Sequence, residues 1–444
     1  MQLSELEGRR VGVWGLGREG RAIVRAVAAR YPETPLTLVD EGADGDEPGV
    51  ARDPAALLAC EVVVRSPGIS RYRPEAARLA AAGVTLTTGT NLWFAEHPDA
   101  RAVAVTGSKG KSTTSALVAH LATARGLRVQ LAGNIGVPLA DLLEADAGAA
   151  DLWVLELSSF QTSDLDASPP VGVLLNLYRE HTDWHGTRER YWRDKLNLFA
   201  HRPDMTSVLN RADPQVRVRA AGLPNPRWFM DPGGFDVAPS GITRGGRPFA
   251  AREAVGLAGD HNLANACAAL AALEAVGVGA DGAQEALARF RPLAHRLEPL
   301  GERDGVVFVD DSIATIPEAT VAAARALAPR PVVLLVGGRD RLQDYAPLAA
   351  YVAAEPSVVA LVALPGNGMR ILERVGAEPL APARPEPPLV QADDLADAVA
   401  RARRLVPPGG AILLSPGAPT GDDFRDFQVR GEAFAALVRA HLGG

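Results

Sequence analysis

Short apolar runs, each followed by a glycine-containing turn and then by a segment of helical spacing, recur along the chain. Residues 9–15 form such a run, residues 22–29 carry the apolar spacing of a helix, and residues 36–40 form the next run. Short buried strands that alternate with helices predict an α/β fold built on parallel sheets. Further strands are predicted at 61–65, 101–105, 152–157, 171–177, 306–309, 331–336, 358–362 and 411–414.

The chain of 444 residues is too long for one core, because single domains usually contain about 100–200 residues. The pattern predicts a Rossmann-like domain at 1–95, a central P-loop ATPase-like domain at 96–292 and a second Rossmann-like domain at 293–444. Within the central domain, residues 200–255 are expected to be rich in strands that Pro and Gly interrupt.

Composition narrows the possible partners and the compartment. The net charge is −7 and no basic run is long enough to coat a polyanion, so nucleic acid is not an expected partner. Cys60 and Cys267 lie in apolar stretches and can form neither a disulfide framework nor a metal cluster, as is typical of a reducing cytoplasm. No basic leader and no apolar run of about 18 residues is found, which predicts a cytoplasmic protein without membrane association.

The stretch VAVTGSKGKSTT at 103–114 joins a predicted strand to a predicted helix. Its glycines allow backbone N–H groups to approach phosphate, Lys111 supplies a cation and Ser112 can place a hydroxyl on Mg²⁺. The loop is a shortened G-x-x-G-K-S form, since Val105 stands where the full pattern has Gly. The alternative is an ordinary strand-to-helix turn with a surface lysine. The predicted nucleotide contacts of the loop are Gly107, Ser108, Lys109, Gly110, Lys111, Ser112 and Thr113.

A second glycine-rich loop, GLGREG at 15–20, also lies between a predicted strand and a predicted helix. With Asp40 about twenty residues further on, it matches a dinucleotide-binding fingerprint. The helix N-terminus recognises paired phosphates, so the ligand is a nicotinamide or flavin cofactor or the pyrophosphate of a UDP-sugar. Ser66, in the SPG turn after the next strand, lies where open α/β sheets bind ligands, although a plain turn would look the same.

Glu156 and one of two nearby histidines in the central part of the chain are candidates for metal chemistry. Glu156 lies in an apolar strand, where its carboxylate needs a cation, either Mg²⁺ or an arginine elsewhere. His181 and His185 are four residues apart, but their order is not H-E-x-x-H and no third ligand is evident, so one histidine on Mg²⁺ is favoured over zinc. The sequence around Lys195, taken alone, predicts an ordinary lysine on an amphipathic helix.

The last third of the chain carries polar groups at predicted strand ends, in DDSIAT at 310–315, GGRDR at 337–341 and SPGAP at 415–419. Before it, Asn262 and Asn265 share one face at the start of a predicted helix. They are either caps of that helix or contacts to an adenine or ribose edge.

Twelve ordered motifs span nearly the whole chain: GLGREG, SPG, GSKGKSTT, GNIG, ELSSFQ, NLYREHTDWH, RDKLNLF, GDHNLANA, LAHRLE, DDSIATIPEAT, GGRDR and LSPGAPTGDDF. Together they resemble the Mur ligases, the cytoplasmic ATP-dependent amide ligases of peptidoglycan precursor synthesis. Within that family the chain is most similar to the glutamate-adding MurD enzymes, which join glutamate to UDP-N-acetylmuramoyl-L-alanine.

The resemblance implies a role for each matching residue. Besides the phosphate loop, ATP would contact Asn262, Arg296 and Asp311. Two Mg²⁺ ions would be held by Ser112, Glu156, His181 and Lys195, the lysine as a carbamate formed with CO₂. The UDP-linked substrate would meet Gly17, Asp40, Ser66 and Asn134. The incoming glutamate would meet Thr315, Arg341, Ser415 and Phe424. The implied catalytic residues are Lys111, Glu156, His181 and Lys195.

Two departures from the family pattern bear on the substrate. Ile313 stands where the D-glutamate enzymes usually have lysine, and Lys109 stands where asparagine is commoner. With WGLGREG, SPGISRYR, NLWFAEH and HTDWHG, these features resemble the branch that adds L-glutamate, whose product a separate epimerase then converts. L-glutamate is therefore favoured, D-glutamate is the alternative, and the enzyme is expected to be a monomer.

The resemblance implies that the alanyl carboxylate attacks the γ-phosphate of ATP and that glutamate's amine then displaces the phosphate. The base for the amine is His181, Asp311 or solvent. Three rival functions are a nicotinamide-dependent dehydrogenase, suggested by residues 15–20, a nucleotide-binding switch without chemistry, and a folylpolyglutamate synthase. The dehydrogenase leaves Lys111 and Ser112 without a purpose, and the synthases lack an N-terminal domain like residues 1–95.

Overall fold

The protein is described here by a computed structural model, which covers residues 1–42, 48–146, 148–257, 259–291, 293–382 and 384–443. Its contacts divide it into two compact units. The first contains Met1–Val255 and Ala264–Phe290, and the second contains Gly256–Leu263 and Arg291–Gly444. The end that the sequence predicted for the central domain, at Pro292, lies outside the described residues. Division into three domains therefore stays a prediction.

The first unit begins with a five-stranded parallel sheet in the order β3-β2-β1-β4-β5. Its strands β1 and β4 are fully buried, because helices cover a parallel sheet. Helix α1 buries Ala22, Ile23 and Val27 on one face. The strands are β1 (Val11–Trp14), β2 (Leu36–Val39), β3 (Val50–Ala51), β4 (Val62–Arg65) and β5 (Thr85–Thr87), and the helices are α1 (Arg18–Arg30), α2 (Pro74–Ala81) and α3 (Gly89–Glu96).

A six-stranded parallel sheet follows in the same unit, in the order β11-β10-β9-β6-β8-β7. Its strands are β6 (Ala102–Thr106), β7 (Val129–Gly133), β8 (Leu152–Glu156), β9 (Val171–Leu174), β10 (Thr206–Asn210) and β11 (Pro226–Phe229). Its helices are α4 (Lys111–Ala124), α5 (Ser159–Thr162), α6 (Thr182–His185), α7 (Arg188–Leu196) and α8 (Pro214–Arg219).

The strand-rich part predicted at 200–255 ends in a small antiparallel sheet of β12 (Phe235–Ala238), β13 (Gly241–Arg244) and β14 (Arg247–Ala251). Helix α9 (Asp260–Ala275) then starts among residues of the second unit and ends in the first, where α10 (Gln284–Arg289) follows it.

The second unit has a six-stranded sheet in the order β15-β16-β20-β17-β18-β19. The predicted doubly wound sheet is present, and β15 adds an antiparallel edge that the sequence pattern did not predict. The strands are β15 (Glu298–Arg303), β16 (Val306–Asp310), β17 (Val332–Val336), β18 (Val358–Ala363), β19 (Leu389–Gln391) and β20 (Ala411–Leu414). The helices are α11 (Pro317–Leu327), α12 (Ala346–Ala354), α13 (Gly368–Gly376), α14 (Leu395–Leu405) and α15 (Phe427–Gly443).

The α/β fold predicted from the alternation of strands and helices is thus confirmed. One apolar cluster in the first unit contains residues of both parallel sheets, including Trp93 of α3 and Trp153 of β8, whose rings are 5.2 Å apart. The second unit has clusters of its own on the two faces of its sheet. None of the helices in the described ranges is long and apolar enough to cross a membrane.

Candidate active site

The phosphate loop connects β6 to α4 and has the backbone that its glycines were expected to allow. Gly107 and Gly110 have φ of 147° and 87°, in the region that disfavours other residues. A Cβ on Gly110 would lie 2.4 Å from Asn265 Oδ1, so glycine is also required by space. Asn176, just after β9, braces the loop, since its side chain accepts from the N–H of Lys109 at 2.8 Å and donates to the Lys109 carbonyl at 3.0 Å.

Lys111 lies at the start of α4 and folds back over this loop. Its Nζ donates to the carbonyl oxygens of Gly107 and Ser108, both at 3.0 Å. Ser112 and Thr113 follow it in the buried first turn of the helix. The arrangement places the ammonium group of Lys111 and the N–H groups of a 14-residue helix at one loop, which is the geometry that binds phosphate.

Glu156 ends β8, the strand next to β6, and is paired in register with Val105. Its side chain is 1% exposed. Oε1 accepts a hydrogen bond from Asn134 Nδ2 at 2.8 Å, whereas Oε2 is buried and has no hydrogen-bond partner among the described residues. A buried carboxylate oxygen without a donor is costly, and a bound cation would satisfy it. An arginine partner for Glu156, the alternative that the sequence left open, is not found among the described residues, since Asn134 meets one oxygen and the other has no donor.

His181 precedes α6 in a left-handed conformation, with φ of 51°. Burial lowers the pKa of His181 to about 4, and the charges of Lys195 and Lys111 act in the same direction while Glu180 opposes them. The imidazole is therefore neutral at pH 7, which is the form that binds metal ions. His185, the other histidine of the zinc alternative, is fully buried and hydrogen-bonds Asp194 and Ser159.

Lys195 lies on α7 and is 1% exposed, so it is not the solvent-facing lysine that an amphipathic helix alone would suggest. Its Nζ donates to the Gly107 carbonyl at 2.8 Å and lies 4.9 Å from the centre of the Tyr191 ring. Burial lowers the pKa of Lys195 well below its usual value, and Lys111 lowers it further. The amine is therefore poised to lose its charge.

Glu180 is a residue of this site that the sequence did not single out. Its Oε1 lies 2.9 Å from Lys109 Nζ, and its side chain is 8% exposed. Burial would raise the pKa of Glu180, but Lys109, His181 and Lys111 outweigh burial and lower it to about 2. The loop lysine that departs from the family pattern is thus half of an ion pair. The sequence does not identify this pair, because Lys109 and Glu180 lie far apart along the chain.

The residues predicted to meet the UDP moiety form one cluster beside β1. Asp40 accepts from the N–H of Leu16 at 2.9 Å and from that of Gly42 at 3.1 Å. Ser66 donates to the Gly15 carbonyl at 2.5 Å. Gly17 is the N-cap of α1 and has open space where a Cβ would lie. Asp40 and Ser66 therefore shape the glycine loop, and Gly17 keeps its backbone accessible.

Asn134 follows β7 and is tied to Glu156 rather than free in a loop. The neighbouring Gly136 carbonyl accepts from Arg18, the residue after Gly17. The structure therefore brings the predicted sugar side and the predicted UDP loop together within the first unit.

In the second unit, Asp311 follows β16 and is buried. Ser415 donates to its Oδ2 at 2.8 Å and the N–H of Leu297 donates to Oδ1 at 3.2 Å. Burial raises the pKa of Asp311 to about 7, although these donors and Arg296 lower it. Ser415 is fully buried, so its hydroxyl meets Asp311 in this structure, and its predicted contact with glutamate stays a prediction.

The other residues predicted to meet glutamate lie on neighbouring loops of that unit. The Thr315 carbonyl accepts from Gln343 at 2.8 Å, which links it to the loop that carries the exposed Arg341. Phe424 is half-buried against the cluster on one face of the sheet. Asn262 is 7% exposed near the start of α9, among residues of the second unit.

Comparison with known proteins matches most of the chain. The family "Mur ligase middle domain" matches residues 105–273, and "Mur ligase, glutamate ligase domain" matches residues 295–417. A UDP-N-acetylmuramoyl-L-alanine--L-glutamate ligase of Micromonospora sp. is 44% identical over 100% of this chain and 99% of its own. A relative of the same name from Xanthomonas campestris is 43% identical over 99% and 97%. The chain belongs to the Mur ligase family.

Solved structures agree on the fold of this Mur ligase. MurF ligase from Thermotoga maritima in complex with ADP is 18% identical, with a TM-score of 0.63 over 99% of this chain and 97% of that one. Mycobacterium tuberculosis folylpolyglutamate synthase complexed with ADP and AMPPCP is 19% identical, with a TM-score of 0.57 over 79% and 93%. Family membership over the whole length favours the ligase over the dehydrogenase and switch alternatives.

The two family matches divide the predicted site residues of the Mur ligase. The first contains the phosphate loop and the proposed metal ligands, and the second contains Arg296, Asp311 and most of the predicted glutamate contacts. Gly17, Asp40 and Ser66 lie before both matches, and Phe424 lies after them. The individual roles stay predictions.

Proposed function

We propose that this Mur ligase uses ATP to join L-glutamate to the alanyl carboxylate of UDP-N-acetylmuramoyl-L-alanine during peptidoglycan precursor synthesis. Relatives with that name match almost the whole chain at 43–44% identity. The observation that carries the proposal is the phosphate loop with Lys111 at one strand end and Glu156, with an unpartnered oxygen, at the next. Amide formation needs an activated carboxylate, and this loop can hold the triphosphate that activates it.

In the first step the alanyl carboxylate attacks the γ-phosphate of ATP and gives an acyl phosphate and ADP. The negative charge of the phosphate oxygens is met by Lys111 and by the N–H groups at the start of α4. Phosphoryl transfer depends mainly on positioning and electrostatics, so a rigid loop is required. The two hydrogen bonds between the Asn176 side chain and the Lys109 backbone hold the loop in place.

Four side chains near this loop fit Mg²⁺. Glu156 Oε2 is a buried acceptor without a donor, His181 is neutral, and hydroxyl and carboxylate oxygens are ligands that Mg²⁺ prefers. When bound, Mg²⁺ supplies positive charge beside the phosphates. We assign two ions to the set Ser112, Glu156, His181 and Lys195.

Lys195 completes this set as a carbamate. Burial lowers its pKa, so the amine can lose its proton and attack the carbon of CO₂. The reaction gives an anionic carbamate and releases a proton. The side chain then offers oxygen atoms that can bind a metal ion, where the unmodified lysine would carry a positive charge. The amine already lies at the Gly107 carbonyl, next to the phosphate loop.

In the second step the amine of glutamate attacks the acyl carbon and phosphate leaves. We assign recognition of glutamate to Thr315, Arg341, Ser415 and Phe424, and the ATP contacts outside the loop to Asn262, Arg296 and Asp311. The preference for L-glutamate is supported by the names of the relatives and by Ile313, where the D-glutamate enzymes usually carry lysine.

The test is an assay with ATP, Mg²⁺, UDP-N-acetylmuramoyl-L-alanine and either enantiomer of glutamate. ADP release and amide formation are expected with L-glutamate. Lys111→Ala is expected to reduce the rate at least a hundredfold while the UDP substrate still binds, because Lys111 lies in the phosphate loop and outside the residues assigned to the UDP moiety. Turnover of D-glutamate alone would reject the stereochemical part, and no amide with either enantiomer would reject the proposed function.

We also propose that the enzyme acts as a monomer in the cytoplasm and that an epimerase acts on its product. Cys60 and Cys267 are both buried and unpaired, which agrees with a reducing compartment. Light scattering should give the mass of one chain. Chiral analysis of the purified product should give only the L-glutamyl form, and a D-glutamyl residue without added epimerase would contradict this part.

A further inference from the structure

The 66–73 loop, which follows β4, contacts the helix that begins just after His181. The indole N–H of Trp184 in α6 donates to the carbonyl oxygens of Pro67 and Gly68, both at 3.1 Å. In return, Ser70 Oγ donates to the Trp184 carbonyl at 2.6 Å. Three hydrogen bonds therefore fix α6, and with it His181, to a loop of the first sheet.

The same loop also holds the helix that carries Lys195. Tyr72 OH donates to Asp194 Oδ1 at 2.7 Å, and Asp194 directly precedes Lys195 in α7. The other oxygen of Asp194 is 2.6 Å from His185 Nδ1, and His185 Nε2 is 2.9 Å from Ser159 Oγ. One tautomer, with the proton on Nδ1, satisfies both contacts of His185.

Ser159, His185 and Asp194 have the connectivity of a hydrolytic triad, but their burial argues against that use. Ser159 is 2% exposed, His185 is fully buried and Asp194 is 3% exposed. Ser159 also lies in the first turn of α5, after the strand that ends in Glu156. The chain of hydrogen bonds therefore joins the elements that carry Glu156, His181 and Lys195 rather than presenting a nucleophile.

The other end of the 66–73 loop reaches the predicted UDP site. Ser66 donates to the Gly15 carbonyl in the GLGREG loop. The buried Arg65, just before the loop, pairs with Asp164, and Arg71 donates to the Ser163 carbonyl. The loop is thus held on both sides, so a continuous set of hydrogen bonds connects the glycine loop to α6 and α7.

We propose that Tyr72, Asp194, His185 and Trp184 are positioning residues that couple binding of the UDP-linked acceptor to the placement of His181 and Lys195. The inference rests on the proposed function, since it takes the acceptor and the metal ligands from there. The acceptor orders the glycine loop, the 66–73 loop follows, and the hydrogen bonds of Trp184 and Asp194 set the two metal-binding side chains. The metal site is complete when the acceptor is bound.

The test measures metal binding instead of turnover. Mn²⁺ is titrated into the full-length enzyme with ADP, followed by electron paramagnetic resonance, with and without UDP-N-acetylmuramoyl-L-alanine. In the wild type the acceptor should tighten Mn²⁺ binding about tenfold, the value of one hydrogen bond to a charged group. Tyr72→Phe removes the bond to Asp194 together with the bond that the exposed Arg193 donates to the same hydroxyl, and it should reduce this tightening to less than threefold. Acceptor affinity, measured by calorimetry, should change less than threefold.

Tyr351→Phe, a hydroxyl deletion in the second unit, is the matched control and should keep the full tightening. Asp194→Asn is the second variant, because it preserves size and should also weaken the coupling. The inference would be overturned if the acceptor tightened Mn²⁺ binding as much in Tyr72→Phe as in the wild type, or if it did not tighten Mn²⁺ binding in the wild type. Either result would count even if amide formation proceeds. An acceptor that neither binds nor reacts would overturn the proposed function and the inference with it.

Discussion

Lys195 combines features that separate a modified lysine from a structural one. It is buried, its pKa is lowered by burial, and its Nζ meets the Gly107 carbonyl in place of an acidic side chain. We predict that Lys195→Ala reduces activity at least a hundredfold and that acetate or another short-chain carboxylic acid restores part of it, by occupying the place of the carbamate. Lys111→Ala is the control and should not respond, since a carboxylate cannot replace its cation. A rate unchanged by Lys195→Ala would exclude the carbamate.

Lys109 and Glu180 provide a prediction about stability. Removing one partner of a largely buried ion pair leaves an uncompensated charge. We predict that Lys109→Asn lowers the free energy of unfolding by about 2 kcal/mol, the usual cost of an unpaired buried group. The double variant Lys109→Asn/Glu180→Gln should recover at least half of that loss in urea titrations.

Arg289→Gln, which breaks an exposed pair with Glu285, serves as the control for that measurement and should cost about 0.5 kcal/mol or less. Strict additivity of the two single changes at Lys109 and Glu180 would show that the pair is not coupled.

Asp311 predicts a dependence of stability on pH. Burial raises its folded-state pKa to about 7, whereas the unfolded value is about 3.9. The folded protein therefore holds an extra proton between roughly pH 4 and 7, and its stability falls as pH rises through that window. Asp311→Asn lacks this loss. Relative to the wild type, the variant should gain stability from pH 5 to 7 in urea titrations and level off above 7. A pH dependence of stability equal to that of the wild type would contradict this account.

Single residues show where sequence reasoning reaches its limit. The glycines and Lys111 could be placed because their spacing along one strand, loop and helix fixes their geometry. Glu180 and Asp194 could not, since the partners that give them a role, Lys109 and Tyr72, lie 71 and 122 positions away. Burial of Lys195 was also hidden, because helical spacing does not show which neighbours cover a face.

At the scale of elements, strands with continuous apolar runs were predicted to within two or three residues, as for β8 and β17. Strands β5 (Thr85–Thr87) and β7 (Val129–Gly133) were missed, since each contains polar positions that resemble a loop. Such strands are fixed by pairing with β4 and β8, which is a tertiary effect.

The end of β7 carries a prediction of its own. Gly133 has φ of 103°, and a Cβ there would lie 2.3 Å from the Glu156 carbonyl oxygen. Gly133→Ala must therefore push β7 away from β8 at the point where Asn134 holds Glu156. We predict a loss of at least about 2 kcal/mol in the free energy of unfolding, from strain and from displaced pairing. Gly148→Ala has open space and should change it by less than about 0.5 kcal/mol, and equal costs at both sites would contradict this account.

At the scale of the whole molecule, the described residues form three large sheets and one small antiparallel sheet, distributed over two compact units. The sequence predicted the three sheet-bearing segments because apolar runs and turns repeat in each. It did not predict that the first two share one apolar cluster, because the contacts between Trp93 and Trp153 join residues of different segments. Which faces of two sheets pack together depends on shape, and no pattern along the chain encodes it directly.

The two units can be followed separately, because all six tryptophans, at positions 14, 93, 153, 184, 192 and 228, belong to the first. Tryptophan fluorescence therefore reports unfolding of that unit, whereas far-ultraviolet circular dichroism reports both. Each unit has its own apolar clusters, so we predict two transitions in urea. UDP-N-acetylmuramoyl-L-alanine at a hundred times its dissociation constant should stabilise the fluorescence transition by about 2.7 kcal/mol. The transition of the second unit is seen by circular dichroism alone, and its urea midpoint should not change. An equal shift of both transitions would show that the acceptor site is not confined to the first unit.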